Sequence, residues 1–377
     1  MAFEYLDGGA EDEVTLRRNR DVFEQIAFAP RTLVDVSKRT QAIELFGTPQ
    51  LSPFVIAPTG FNGMLHRDGD LALAAAAKKA GIPFSLSTVS NNSIEEIAEK
   101  AGGRLWFQLY RFRDTTAANR LVERAASAGY ESLVVTTDVP VYGNREWDQR
   151  SFKALGEPTF RIKLDVLAHL RWLLDVMIQR GLPQMGNLAE FLQPRERSAL
   201  GAARYMRQQL NDTLDWDEIR RLRDVWPRRF IIKGLLDPRE AALAAELGAD
   251  GIVVSNHGAR QLDGAISPIE VLPQICAEVG SRLTVMVDSG FRRGSDIVKA
   301  LALGAKAVLV GRAVLYGLAA AGSQDGADHA INILRTEIDR VLALLGCCSC
   351  TELSTDLIYS HRKATNGSTR LAREAGT

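Results

Sequence analysis

Residues 255–261 read Ser-Asn-His-Gly-Ala-Arg-Gln and follow the apolar run Gly251-Ile252-Val253-Val254. A buried strand that ends in a polar turn presents His257 and Arg260 three residues apart, and both can point into one mouth. An imidazole moves protons near neutral pH. A guanidinium grips a carboxylate through two parallel bonds. The chain has only five histidines in 377 residues, which makes one in such a turn informative. The plainer reading is a capped loop with a surface arginine. Two further turns read Asp288-Ser-Gly-Phe-Arg-Arg-Gly294 and Val310-Gly-Arg-Ala313. Gly290 and Gly311 let backbone N–H groups approach an anion, and Arg292 and Arg312 add charged donors. The alternative is a pair of glycine turns with solvated arginines.

These residues need elements that hold them together. Eight apolar, β-rich runs recur: Phe54–Ala57, Phe84–Ser87, Leu105–Tyr110, Leu133–Thr137, Phe230–Lys233, Ile252–Ser255, Leu283–Asp288 and Ala307–Val310. Their continuous hydrophobicity means burial on both faces, as in parallel sheets. Helical patterns follow, including Asp70–Ala80, Ser93–Ala101, Asp114–Ala128, Pro238–Leu247, Pro268–Val279 and Ser295–Leu303. Gly81, Gly102, Gly129, Gly248, Gly280 and Gly304 stand where those helices should stop. Eight β/α units predict a closed TIM (β/α)8 barrel, formed as one domain over residues 1–359. A doubly wound open sheet is disfavoured, because Pro58-Thr59-Gly60-Phe61-Asn62-Gly63 stands where a dinucleotide-binding glycine turn would be.

Barrel chemistry gathers at the C-terminal ends of strands. Those ends carry Thr59, Ser87, Gln108, Tyr110, Thr136, Asp138, Lys233, Ser255, His257, Asp288, Gly311 and Arg312. The spacing breaks once: roughly ninety residues separate Asp138 from Phe230, far more than one loop and helix need. This long insertion after the fourth strand, 139–229, contains an amphipathic stretch at 164–182. Val166, Leu170, Leu173, Leu174, Met177 and Ile178 fall on one helical stripe. One expectation is a lid helix packed on the barrel. The other is a helix lying in a membrane interface, which Arg171, Trp172 and Arg180 suit. Residues 360–377, rich in small, polar and charged types, predict a mobile tail.

Composition narrows the partners. Lys+Arg 46 balances Asp+Glu 46, so no global positive field argues for nucleic acid. Cys276, Cys347, Cys348 and Cys350 lack a second ligand cluster, which predicts no metal site and reduced thiols in a cytosolic setting. The first residues show no leader pattern, and no stretch of about 18 apolar residues spans a bilayer. The expected location is cytoplasmic, with the option of peripheral contact with the inner face of the cytoplasmic membrane.

A phosphate anchor is common in barrels; a flavin needs more. An isoalloxazine ring wants apolar walls, hydrogen bonds to its polar edge and a cation near N1 and C2=O. Thr59, Ser87, Gln108 and Thr136 suit the edge and Lys233 suits the cation. Lys233 equally suits a Schiff-base lysine, as in an aldolase on the same barrel. The residue chemistry leaves both open, together with a non-catalytic phosphate-binding barrel.

Taken together, Lys233-Gly234, Ser255–Gln261, Asp288–Gly294 and Gly311-Arg312 resemble the FMN-dependent 2-hydroxy acid oxidase/dehydrogenase family. The likeness runs from Tyr5-Leu-Asp-Gly-Gly-Ala-Glu-Asp12 to about Tyr316 and is nearest to the (S)-mandelate dehydrogenases within it. The resemblance implies an FMN cofactor. It makes Tyr5, Tyr110, Arg145 and Arg260 substrate-binding positions, and Asp138 and His257, helped by Tyr110 and Lys233, the catalytic ones. It places Pro58, Thr59, Gly60, Ser87, Gln108, Thr136, Lys233 and Ser255 around the flavin ring. Asp288, Ser289, Gly290, Arg292, Gly311 and Arg312 fall at the ribityl phosphate. His257 would be the general base, with its pKa raised by Asp138. Gly60, where many members have alanine, would leave room for an aromatic substrate. The electrons would pass to a quinone or membrane chain, and the assembly would be a homotetramer, with the helix face Leu71–Ala77 offering an apolar patch. An L-lactate dehydrogenase and an O2-using oxidase are the alternatives. One departure is that the chain reaches its tyrosine segment almost at once, so either the start is trimmed or the barrel bottom is less well covered.

Overall fold

The computed structural model describes residues 2–146, 159–178, 183–193, 197 and 199–360. Eight parallel strands close into a barrel: β1 Phe54–Ile56, β2 Phe84–Ser87, β3 Leu105–Tyr110, β4 Ser132–Thr136, β5 Arg229–Leu235, β6 Gly251–Val254, β7 Thr284–Val287 and β8 Ala307–Val310. Closure comes from β8 pairing with β1 in the register Val308↔Phe54, Leu309↔Val55, Val310↔Ile56. Each strand lies within one or two residues of the run that predicts it. The outer ring is α1 Gly69–Ala80, α2 Ile94–Lys100, α3 Thr115–Ser127, α4 Trp216–Val225, α5 Pro238–Glu246, α6 Pro268–Val279, α7 Gly294–Ala302 and α8 Arg312–Ala321. Ser93, Asp114 and Asp237 cap α2, α3 and α5 by accepting backbone N–H bonds. Five of the six expected stop glycines take the left-handed conformation. Gly280 does not; its φ is −61°.

Side chains alternate along the strands. Val55, Trp106, Val134, Ile231, Val253, Met286 and Leu309 point inward and form one core with Leu45. The opposite faces join the larger core under the helices. The bottom of the barrel is covered, which removes one of the two alternatives drawn from the early tyrosine segment. A hairpin of Ile43–Leu45 and Thr48–Gln50 closes it, with Phe46 set edge-on to Trp106 at 5.9 Å. The turn has Phe46 at φ 56° and Gly47 at φ 78°, the left-handed pair that suits a two-residue hairpin.

The N-terminal helix Val14–Glu24 crosses the mouth side. Asp263 accepts from the Val14 and Thr15 amides, and Lys299 donates to the Phe23 carbonyl. The long helix Gln324–Leu345 packs on α1, α7 and α8. It helps cover the face of α1 at Leu71–Ala77, so the apolar patch expected there for oligomerisation is mostly buried.

The insertion is not one helix laid on the barrel. Helix Phe160–Ala168 breaks at His169, and after Leu170–Trp172 the chain widens into a π-helical turn, Leu173–Ile178. Ile162 and Val176 are buried, whereas Phe160, Leu164, Leu167, Leu170, Leu174 and Ile178 face outward. The expected apolar stripe exists in part, but Leu170, Leu174 and Ile178 on it are exposed. Trp172 pins the segment by donating from Nε1 to the Met64 carbonyl at 2.8 Å. Residues 179–182 of the expected 164–182 stretch, and 361–377 of the expected tail, lie outside the described residues. Among the described residues no helix is long and apolar enough to cross a membrane.

Candidate active site

The turn after β6 is held in an uncommon shape. His257, Gly258 and Ala259 all have left-handed backbones, with φ between 59° and 66°. Such a run is costly without support, and the support is visible. The His257 amide donates to Ser255 Oγ at 3.0 Å, the Gly258 amide to Ser289 Oγ at 3.0 Å, and the Ala259 amide to Asn256. The imidazole is thereby fixed in the mouth. Its Nδ1 lies 2.8 Å from Asp138 Oδ1 and its Nε2 lies 3.3 Å from the Tyr110 hydroxyl.

Asp138 approaches β5 where glycine alone leaves space. Gly234 has φ 117°, and a Cβ there would lie 2.8 Å from Asp138 Cβ. The β5–β6 register shifts at this point, a bulge beside Lys233. Sequence reading names Lys233-Gly234 as a motif and misses this use of the glycine.

Lys233 is buried and donates to Ser255 Oγ at 2.7 Å, with Asp288 Oδ2 at 2.9 Å. Burial pulls its pKa down, but the charges of Asp288 and Asp138 outweigh that and hold it above the ordinary lysine value. A lysine kept charged is a poor Schiff-base nucleophile and a good fixed cation. Burial also pushes the Asp138 carboxyl up, and His257 and Lys233 bring it net below its usual range. For His257 burial wins. Asp138 does raise its pKa, but desolvation, joined by the Lys233 and Arg145 charges, leaves the imidazole below its ordinary value. The expected raising influence of Asp138 is present, but burial outweighs it, and the net fall favours the neutral base. Burial raises the Tyr110 hydroxyl far above its usual pKa, so it stays protonated.

The polar ring at the other strand ends is present. Gln108 donates to Thr136 Oγ1 at 2.9 Å and accepts from Ser87 Oγ at 3.2 Å. Pro58, Thr59 and Gly60 follow β1 and Gly311 follows β8, where a Cβ on Gly311 would lie 3.6 Å from Thr59 Cγ2. Gly290 has φ 88°, and a Cβ there would strike the Asn19 carbonyl. Ser289 donates to Asp288 Oδ1 at 2.8 Å. Arg312 donates to the carbonyls of Leu6, Gly258 and Gly8. Burial first, then the charges of Arg260 and Arg292, drive its pKa down to about 9. Burial likewise lowers Arg292. A buried cation cluster of this kind calls for an anion, and a phosphate fits it. Arg260 donates to the carbonyls of Tyr5 and Gly8, at 2.7 and 2.8 Å, with its guanidinium 4.8 Å from the Tyr5 ring. Tyr5 stands edge-on to Phe61 at 5.5 Å. Arg145 donates from Nε to the Arg260 carbonyl at 3.1 Å.

A protonated lysine, a polar strand-end ring and a cation-lined phosphate cradle on one barrel mouth match the demands of a flavin mononucleotide. Residues 1–360 match the FMN-dependent dehydrogenase family. The chain belongs to that family. Its cofactor is FMN. The chain is 50% identical to the (S)-mandelate dehydrogenase of Pseudomonas putida, over 96% of this chain and 90% of that protein. It is 42% identical to an L-lactate oxidase of Nostoc sp., covering 95% and 93%, and 38% identical to an L-lactate dehydrogenase of Alcaligenes faecalis, covering 94% and 93%. Among solved structures it resembles the monotopic membrane protein (S)-mandelate dehydrogenase, with TM-score 0.90 and 49% identity over 96% of this chain and 95% of that one.

One feature of this family member departs from expectation. The missing methyl at Gly60 does not leave a void, because a Cβ there would lie 2.3 Å from Val89 Cγ2. Gly60 is needed for the approach of Val89. Sequence reading also missed Asn187 and Gln261. Asn187, from the insertion, donates to the Ser87 carbonyl at 3.1 Å, and Gln261 donates to the carbonyls of Asp138 and Val141.

Proposed function

We propose that this FMN-dependent dehydrogenase oxidises an aromatic (S)-2-hydroxy carboxylate, with (S)-mandelate as the type substrate, to the 2-oxo acid. Bound FMN supplies the two-electron acceptor. The observation that carries the reading is the Asp138–His257–Tyr110 line at the barrel mouth. His257 is neutral and gives its Nδ1–H to Asp138, which leaves the Nε2 lone pair facing the mouth. The base takes the substrate proton at Nε2, and Asp138 stabilises the imidazolium. The protonated Tyr110 hydroxyl hydrogen-bonds the reacting oxygen. Arg145 and Arg260, with Tyr5, hold the substrate carboxylate, which needs such partners once out of water. Lys233 would offset negative charge on the bound flavin, whose polar edge Gln108, Thr136, Ser87 and Thr59 would hold. Gly290, Arg292, Gly311 and Arg312 would hold its phosphate. The aromatic preference rests on the nearer likeness to a mandelate enzyme than to the lactate enzymes, and on the Tyr5–Phe61 pair as an apolar wall.

The electrons pass to a membrane quinone. The outward apolar residues Phe160, Leu164, Leu167, Leu170, Leu174 and Ile178 support contact with a lipid surface. A homotetramer belongs to the same reading. The exposed Leu33, Val34 and Leu344 are apolar side chains that a subunit contact would cover.

The test is comparative. Purified holoenzyme should bleach under anaerobic (S)-mandelate, with kcat/KM higher than for L-lactate and turnover faster with a quinone than with O2. Preference for L-lactate would overturn the substrate assignment. Faster turnover with O2 would overturn the acceptor.

A further inference from the structure

The insertion returns to the barrel through helix Ala199–Gln209, and one side chain of that helix reaches the mouth. Tyr142, in the loop after β4, has two guanidinium groups over its ring. Arg145 sits 4.3 Å from its ring centroid and Arg207 sits 4.7 Å from it. Arg145 also donates from Nη1 to the Tyr142 hydroxyl at 2.8 Å and from Nη2 to Gln261 Oε1 at 3.3 Å. With the Nε bond to the Arg260 carbonyl, all three nitrogens of this nearly buried guanidinium are directed by protein groups. Its charge acts on both His257 and Tyr110, so the group lies close to the reacting centre.

Arg207 is solvent-exposed, yet its backbone is well held. Met206 and Leu210 are buried, and Tyr205 stands edge-on to Phe112 at 6.1 Å. The Arg113 amide donates to the Gln209 carbonyl at 2.9 Å and the Asp114 amide to Gln209 Oε1 at 3.0 Å. The C-terminal turn of the helix is therefore fastened to the loop after β3. Gly143 lets the Tyr142 loop lie against the turn after β6, since a Cβ there would strike the Arg260 carbonyl.

We propose that Tyr142 and Arg207 are positioning residues for substrate recognition: the insertion helix, acting through the Tyr142 ring, sets the orientation of Arg145 toward the substrate carboxylate. This rests on the reading of Arg145 as a carboxylate ligand. Arg207 braces the ring, and the ring together with its hydroxyl fixes the Arg145 guanidinium.

The experiment uses holoenzyme and two readouts: the Kd of oxalate from flavin absorbance, and kcat and KM for (S)-mandelate. Contacts of this type correspond to roughly 3- to 30-fold in a binding constant. Tyr142→Leu should raise oxalate Kd and KM within that range, with kcat changed less and flavin content retained. Tyr142→Phe, which keeps the ring, should have a smaller effect. Arg207→Gln should weaken oxalate in the native background and add nothing in the Tyr142→Leu background, while Arg207→Lys should stay near the native value. Native constants for both Tyr142→Leu and Arg207→Gln, alongside a weakened Arg145→Met, would overturn the positioning role. Additive effects of the two changes would also overturn it. An unchanged oxalate Kd in Arg145→Met would instead remove the underlying carboxylate reading, and the proposal with it.

Discussion

The two ends of the barrel are both buried and are built on opposite principles. At the bottom, Leu45 and Phe46 meet Trp106, Val55, Val134 and Met286, and the cohesion is apolar packing. At the mouth, Lys233 and Asp288 are buried and Asp138 and His257 largely so, as charges or titratable groups. Each is tied to a partner within 3 Å. The bottom is held mainly by apolar contacts, and the polar groups at its margin, Gln50 and Arg104, are paired. The mouth tolerates charge because opposite charges face each other and the backbone is shaped to bring them close. Removing packing should thus cost stability at one end, and removing a partner should cost chemistry at the other.

The strongest way to break that contrast is at His257. His257→Gln should cut flavin reduction by roughly 10²- to 10⁴-fold while flavin content and Tm stay near native, as rapid-mixing reduction and thermal melts would report. Reduction at the native rate would erase the catalytic side of the comparison. The next test lies at the bottom. Phe46→Ala should destabilise by about 2–3 kcal/mol, at the low end for an aromatic truncation because the ring is half-buried, and should leave kcat unchanged. A fall in kcat with no change in the denaturation midpoint would mean the plug acts on the site. The finest distinction is in pH. His257 must be neutral to act, and burial holds its pKa below the ordinary histidine value. The kcat/KM profile should therefore lose activity as pH falls, with an apparent pKa below about 6.5. Asp138 is an influence that raises that pKa, so Asp138→Asn should move the acid limb lower still while lowering the maximum. Phe46→Ala should leave the limb in place.

Much of this was readable before any coordinates. Strands buried on both faces appear as unbroken apolar runs, so all eight were visible, and their ends listed the polar groups of the mouth. His257 and Asp138 lie far apart in the chain, yet both follow strand ends, and the closed sheet brings such ends together. The bottom hairpin was not visible. Its strands are three residues each, too short for a period to show, and only the turn at Phe46-Gly47 marks it. The insertion reads as a stripe that either packs on the barrel as a lid or lies in a membrane interface. A period shows that a helix has an apolar side, and says nothing of whether barrel, lipid or another subunit meets it. Gly234 and Gly60 were seen as glycines near the site. That Asp138 fills the space over one and Val89 the space over the other depends on neighbours remote in sequence.

The amino-acid order alone determined the repeating units, where each strand ends and which chemical groups stand there, because burial and chain reversal leave local signatures in hydrophobicity and glycine placement. Tertiary structure alone decided the protonation balance of His257, the fit of Val89 against Gly60 and the bracing of Arg145 by Tyr142. Each is a matter of desolvation or contact over a few ångströms between distant segments, and such distances exist only once the barrel has closed.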